Sequence, residues 1–151
     1  MSDRKTKATV DRIAGECIAV RLRMLNRAVT NLYDDALRPL GLKVSQMNIL
    51  VAAGKAGTAR PAEIAKRLHL DVSTLSRNVE RMRARGWLEV ISDDDGRAAP
   101  FQLTAEGRRL LNRALPEWKK AQKEAKSMLG EAMVGELDDS IARMRSVSSG
   151  S

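Results

Sequence analysis

Six residues between Ser73 and Arg81 could do chemistry as a group: Ser73, Thr74, Ser76, Arg77, Asn78 and Arg81. If Leu75, Val79 and Met82, at i, i+4 and i+7, form the buried face of a helix, these six fall on the opposite surface and its flanks. Hydroxyl and amide groups can each donate and accept a hydrogen bond. An arginine presents a flat fork that matches O6 and N7 of guanine. Near the start of a helix, this set suits the phosphates and base edges of a DNA major groove. A solvated face with ordinary helix-forming arginines is the alternative, because charged faces are common. The neighbouring elements decide between the two.

Upstream, Arg60-Pro61 opens a short helix (PAEIAKRL) with proline in its first turn and Ile64, Ala65 and Leu68 inward. A three-residue turn, His69-Leu70-Asp71, leads into the second helix, with Asp71 as the expected N-cap. Downstream, the run WLEVISDDDGRAAPFQLT predicts a hairpin with its tip at Asp93 to Arg97. The outgoing strand, Ala98 to Leu103, contains a proline and is expected at an edge. Helix, turn, helix and β-wing is the layout of a winged helix-turn-helix. Three aspartates at the tip would repel phosphates unless they serve another purpose. Asp95 is expected to aim Arg97 into the minor groove, where negative potential is concentrated; an acidic turn kept soluble by its charge is the alternative.

Around this unit the pattern is helical. Ile13, Cys17, Val20 and Met24 begin an apolar stripe on a helix expected from Val10 to about Leu37, some 25 residues and about 40 Å long. Ser45 is expected to cap the next helix and Thr104 a second long one, which Pro116 would bend or split. A last helix follows Gly130. The fold class is therefore mainly α. Lys and Arg number 27 against 19 Asp and Glu, a net charge of +8 that favours an anionic partner. A single cysteine and a single histidine cannot build a metal site, and one cysteine fits a reducing cytoplasm. No apolar run is long enough to span a bilayer, the start of the chain lacks a signal-peptide pattern, and no membrane role is expected. Without a glycine-rich phosphate loop, a nucleophile–base spacing or a metal cluster, neither an enzyme nor a cofactor is expected.

The spacing Asp95-Gly96-Arg97, five residues, Leu103-Thr104, two residues, Gly107 resembles the wing signature of the multiple-antibiotic-resistance regulator (MarR) family. The run Asp71 to Arg77 and the order of elements resemble the same family, over about residues 10 to 147. The resemblance implies one MarR-like domain over 1–151, with residues 10–40 and 116–147 as dimerisation helices and 41–115 as a winged helix-turn-helix lobe. It implies an obligate homodimer that reads a pseudo-palindromic operator on double-stranded DNA. In this reading it is a repressor released by a small lipophilic or phenolic effector. By position, Ser73, Thr74, Ser76, Arg77 and Asn78 would read the major groove, and Arg97, braced by Asp95, the minor groove. Arg60 and Thr58 would contact phosphates. His69 stands where the family commonly has glycine, but histidine is enriched among non-glycine residues at positive φ, so the turn can still form. Its role is expected to be structural or a phosphate contact.

Two controls come into view. Cys17 could sense oxidants, with Arg21 one turn on to stabilise a thiolate, although a cysteine on an apolar stripe is more often core and Tyr33 is the only tyrosine. Met24, Tyr33, Met47 and Trp118 could line an effector pocket, although each also fits plain packing. The other alternative is a winged-helix module that binds DNA without sequence choice or binds protein.

Overall fold

The computed structural model describes residues 2–91 and 99–148. Helix α1 (Ser2–Glu16) and α2 (Ile18–Leu37) are followed by a 3-10 turn (Arg38–Leu40), α3 (Val44–Ala56), α4 (Pro61–Leu68) and α5 (Val72–Ala84). Strands β1 (Leu88–Val90) and β2 (Phe101–Leu103) then pair antiparallel, and α6 (Ala105–Leu129) and α7 (Glu131–Ser148) complete the chain. Among the described residues, no helix is long and apolar enough to cross a membrane.

The core gathers where α3, α4, α5 and the two strands meet the ends of α2 and α6. Leu37, Leu42, Ile49, Leu50, Leu75, Met82, Leu88, Phe101 and Leu110 are all buried there. The inward stripe of α5 is the expected one, with Leu75 and Met82 inaccessible and Val79 nearly so. Ile64 and Ala65 of α4 are buried against it, and Leu68 packs on the same cluster.

Three local expectations are corrected. The single helix from Val10 to Leu37 is two helices, broken at Cys17, whose ψ of 109° is extended. Gly15 weakens the helix locally, and its carbonyl accepts from the Arg21 guanidinium. Every side chain from Asp3 to Glu16 is exposed, so among the described residues little packing holds α1 in line with α2. Ser45 does not cap α3, which starts at Val44 with Lys43 at the N-cap position. Its first donors are met from elsewhere: Val44 N–H donates to Asp34 Oδ1 at 2.8 Å and Lys43 N–H to Gln46 Oε1 at 3.1 Å. Lastly, β2 begins after Pro100, so the proline precedes the strand instead of sitting in it. The sheet has two strands, and the outer side of β2 is covered at Phe101, which exchanges backbone bonds with Ala59 (2.8 and 2.9 Å).

Thr104 caps α6 as expected, its hydroxyl accepting from Gly107 N–H at 3.0 Å and donating to the Gly86 carbonyl at 2.5 Å. Pro116 lies inside α6 without splitting it. The carbonyl it deprives of a partner belongs to Asn112, an exposed residue that water can reach. Gly107 lets α6 lie against the backbone that leads into β1, because a Cβ there would overlap the Trp87 carbonyl oxygen and stand 3.1 Å from its carbon. Alanine in an ordinary helix gains about 1 kcal/mol over glycine. Gly107→Ala is expected to reverse that sign and destabilise by about 1–3 kcal/mol, because the obstacle is backbone. A chemical denaturation curve checks it, and an unchanged or raised midpoint would show that α6 can move away from β1.

Candidate nucleic-acid interface

Helix α4 ends because His69 turns the chain into the left-handed region (φ 52°, ψ 45°). His69 N–H donates to the Lys66 carbonyl at 3.3 Å and Leu70 N–H to the Ala65 carbonyl at 2.9 Å, the paired bonds of a Schellman turn. Histidine thus occupies a position that usually selects glycine, as the sequence led us to expect. Asp71 follows at the N-cap position of α5, but its side chain makes no capping bond there. The carboxylate is exposed.

On α5, Ser73, Ser76, Arg77 and Arg81 are exposed, and Thr74 and Asn78 are half-buried. Two of these are engaged within the helix. Asn78 Nδ2 donates to the Thr74 carbonyl at 3.0 Å, and Arg77 Nη2 approaches Thr74 Oγ1 at 3.5 Å, the outer limit of a hydrogen bond. Three arginines (Arg77, Arg81 and Arg83) stand against one acid on α5, Glu80, which pairs with Arg83 at 3.3 Å. The positive end of the helix dipole adds to this at Ser73 and Thr74. The outcome is a cationic, hydroxyl-bearing surface on a rigidly packed helix. Arg60 is exposed at the N-cap of α4, and Thr58 is exposed beside the Ala59–Phe101 bridge. At the wing, Gln102 Nε2 donates across the strands to Glu89 Oε1 at 2.6 Å. The tip, with Asp95 and Arg97, lies outside the described residues.

The end of α5 carries a contact that periodicity did not indicate. Arg85 Nη1 donates to the Gly41 carbonyl at 2.6 Å while its guanidinium carbon lies 4.1 Å from the centroid of the Trp87 ring. Arginine, glycine and tryptophan in succession, with Gly86 at φ 76°, are the signal that could have suggested the stack.

The expected pocket residues have different settings. Met47 is in the core and Met24 is 67% exposed on α2. Tyr33 donates to Gln122 Oε1, one helical turn beyond the half-buried Trp118. Burial raises the Tyr33 pKa, so the phenol remains a protonated donor at neutral pH. Two surface concavities among the described residues are lined by other residues, one around Asp34, Arg38 and Gly41 and one around Glu106, Arg109 and Arg113. Cys17 is half-buried at the α1–α2 break. Arg21, expected to face its thiol, is engaged by the Gly15 carbonyl. Among the described residues no group of three or more His, Cys, Asp or Glu could hold a metal ion.

Comparison with known proteins converges on one group. The MarR family profile matches residues 40–98. The HTH-type transcriptional regulator YxaD of Bacillus subtilis is 31% identical over 130 residues, covering 78% of this chain and 89% of that protein. The multiple antibiotic resistance protein MarR of Salmonella typhimurium is 31% identical over 85 residues, 56% of this chain; the match spans 59% of that relative's length. Among solved structures, the M. tuberculosis transcriptional regulator MOSR in complex with DNA aligns with a TM-score of 0.75 and 31% identity, covering 89% of this chain and 98% of that one.

Proposed function

This chain belongs to the MarR family, and from that premise we propose that it is a sequence-specific DNA-binding transcriptional regulator acting as a homodimer. The observation that carries the reading is the exposed Ser73, Ser76, Arg77 and Arg81 surface on a helix pinned to the core by Leu75, Val79 and Met82. Residues 41–115 are the DNA-binding lobe in this reading, with Arg60 and Thr58 on phosphates and Arg97, aimed by Asp95, in the minor groove.

Residues 10–40 and 116–147 are the dimerisation helices. Supporting this, Ile13, Ile18, Met24, Ile141, Met144 and Val147 are between 42% and 75% exposed on α1, α2 and α7. Such a concentration of exposed large apolar side chains suits burial against a second copy. The pair would set two recognition helices roughly 34 Å apart, one turn of DNA. We read the dimer as a cytoplasmic repressor that binds rather than catalyses. A small lipophilic or phenolic effector would release it by changing that spacing, with Tyr33 as polar contact and the half-buried Trp118 as apolar lining, while Met47 stays in the core and Met24 belongs to the exposed dimer face.

Selection from random duplex DNA tests the reading. A pseudo-palindrome with half-sites one turn apart is expected, and retention of all sequences alike would sink it. Arg97→Ala is expected to weaken binding to the selected duplex about ten-fold while the dimer mass is unchanged. Undiminished affinity at moderate salt would remove the wing from the interface.

A further inference from the structure

The Arg85 contact joins two parts of the chain 44 residues apart, and its geometry is constrained from three sides. Arg85 is the C-cap residue of α5, with its own N–H bonded to the Arg81 carbonyl at 3.2 Å, so the base of the side chain moves with that helix. The guanidinium lies on Trp87, whose ring is 5% exposed and held by the core. A flat fork stacked on a fixed ring is pre-oriented before it makes its hydrogen bond.

The acceptor is equally fixed. Gly41 follows the 3-10 turn at the end of α2 in a left-handed conformation (φ 64°), with its N–H on the Arg38 carbonyl at 2.9 Å. Leu42 N–H returns to the Leu37 carbonyl at 3.4 Å, which fastens the Gly41 carbonyl to the last turn of α2. Any side chain at Gly41 would crowd the fork, since a Cβ there would stand 2.7 Å from Arg85 Nη2. Gly41 therefore supplies both the acceptor and the room for the donor. Helix α5 itself packs mainly on α4 and β1, so Arg85 is a direct polar strut from the recognition helix to the α2 joint.

We propose that Arg85 is a positioning residue that sets the angle of α5 on the α2 arm, and so the half-site spacing the dimer accepts. The proposal rests on the DNA-binding homodimer reading above. A residue that acts on angle need not touch DNA, and its signature is geometric: removing it relaxes the penalty for wrongly spaced half-sites.

The test uses the duplex selected by the wild-type protein, derivatives with one base pair added or removed between half-sites, and a random-sequence duplex. Arg85→Ala is expected to bind the selected duplex about ten-fold more weakly and to lose most of the preference for correct spacing. Affinity for the random duplex, and the salt dependence of binding, should be unchanged. Arg85→Lys keeps the charge and a donor without the flat fork, and should recover part of the loss. A spacing preference equal to wild type overturns the proposal. So does a uniform loss on all duplexes with the salt slope reduced by about one, which marks a phosphate contact. If Arg85→Ala does not melt as a folded dimer, Arg85→Gln is read by the same spacing criterion. Should the wild-type protein select no sequence at all, the DNA-binding reading falls; selection with spacing unaffected by Arg85 removes this inference alone.

Discussion

Phe101→Ala is expected to lower stability by about 3–5 kcal/mol, the range for deleting a fully buried aromatic side chain. Phe101 is inaccessible to solvent and opens β2, bonded through its backbone to Ala59 and opposite Val90. Truncation would leave a cavity in the core cluster to which Phe101 belongs. The expected result is a large drop in the denaturation midpoint, accompanied by loss of DNA binding at temperatures where the wild type is folded. A loss under about 1 kcal/mol would mean that the lobe collapses onto the vacated space or that Phe101 is not its keystone.

The second large effect is on recognition. Arg77→Ala is expected to reduce affinity for the selected duplex by roughly 1–3 kcal/mol, about 5- to 150-fold, with little change on random DNA. Arg77 is exposed in the first turns of α5, and its side-chain contact with Thr74, at 3.5 Å, is weak. Little is therefore given up when the guanidinium extends toward a base. Competition titrations on selected and random duplexes distinguish the outcomes: an equal loss on both, with a shallower salt dependence, would assign Arg77 to a phosphate.

Much of the lobe was legible in advance because helical periodicity marks a buried face without reference to distant residues. Leu75, Val79 and Met82 were placed inward on that ground, and with them the outward surface of α5. The left-handed turn at His69 was implied by the family resemblance, which commonly has glycine there, together with the tolerance of histidine for positive φ. Thr104 was equally clear, since a capping hydroxyl meets donors within three residues of itself.

Where expectation and structure part, a contact that helical or strand periodicity does not report is involved. An unbroken apolar stripe hid the break at Cys17, because periodicity does not report whether Arg21 will take the Gly15 carbonyl. Ser45 seemed the cap of α3 until Asp34, ten residues before Val44, supplied the acceptor. Pro100 was expected inside the strand, yet it precedes it, and Ala59 bridges Phe101 on the far side.

Short-range pattern was enough to say which faces of the helices are apolar and which polar groups stand on the surface of α5. These depend on side-chain types at short spacing, and neighbouring residues suffice to express them. Tertiary structure alone decided that α5 is tied to the end of α2 through Arg85 and Gly41, and that β2 lies between β1 and Ala59. Contacts between residues some 40 apart exist only once the intervening elements have packed, and no local pattern encodes the distance that packing brings them to.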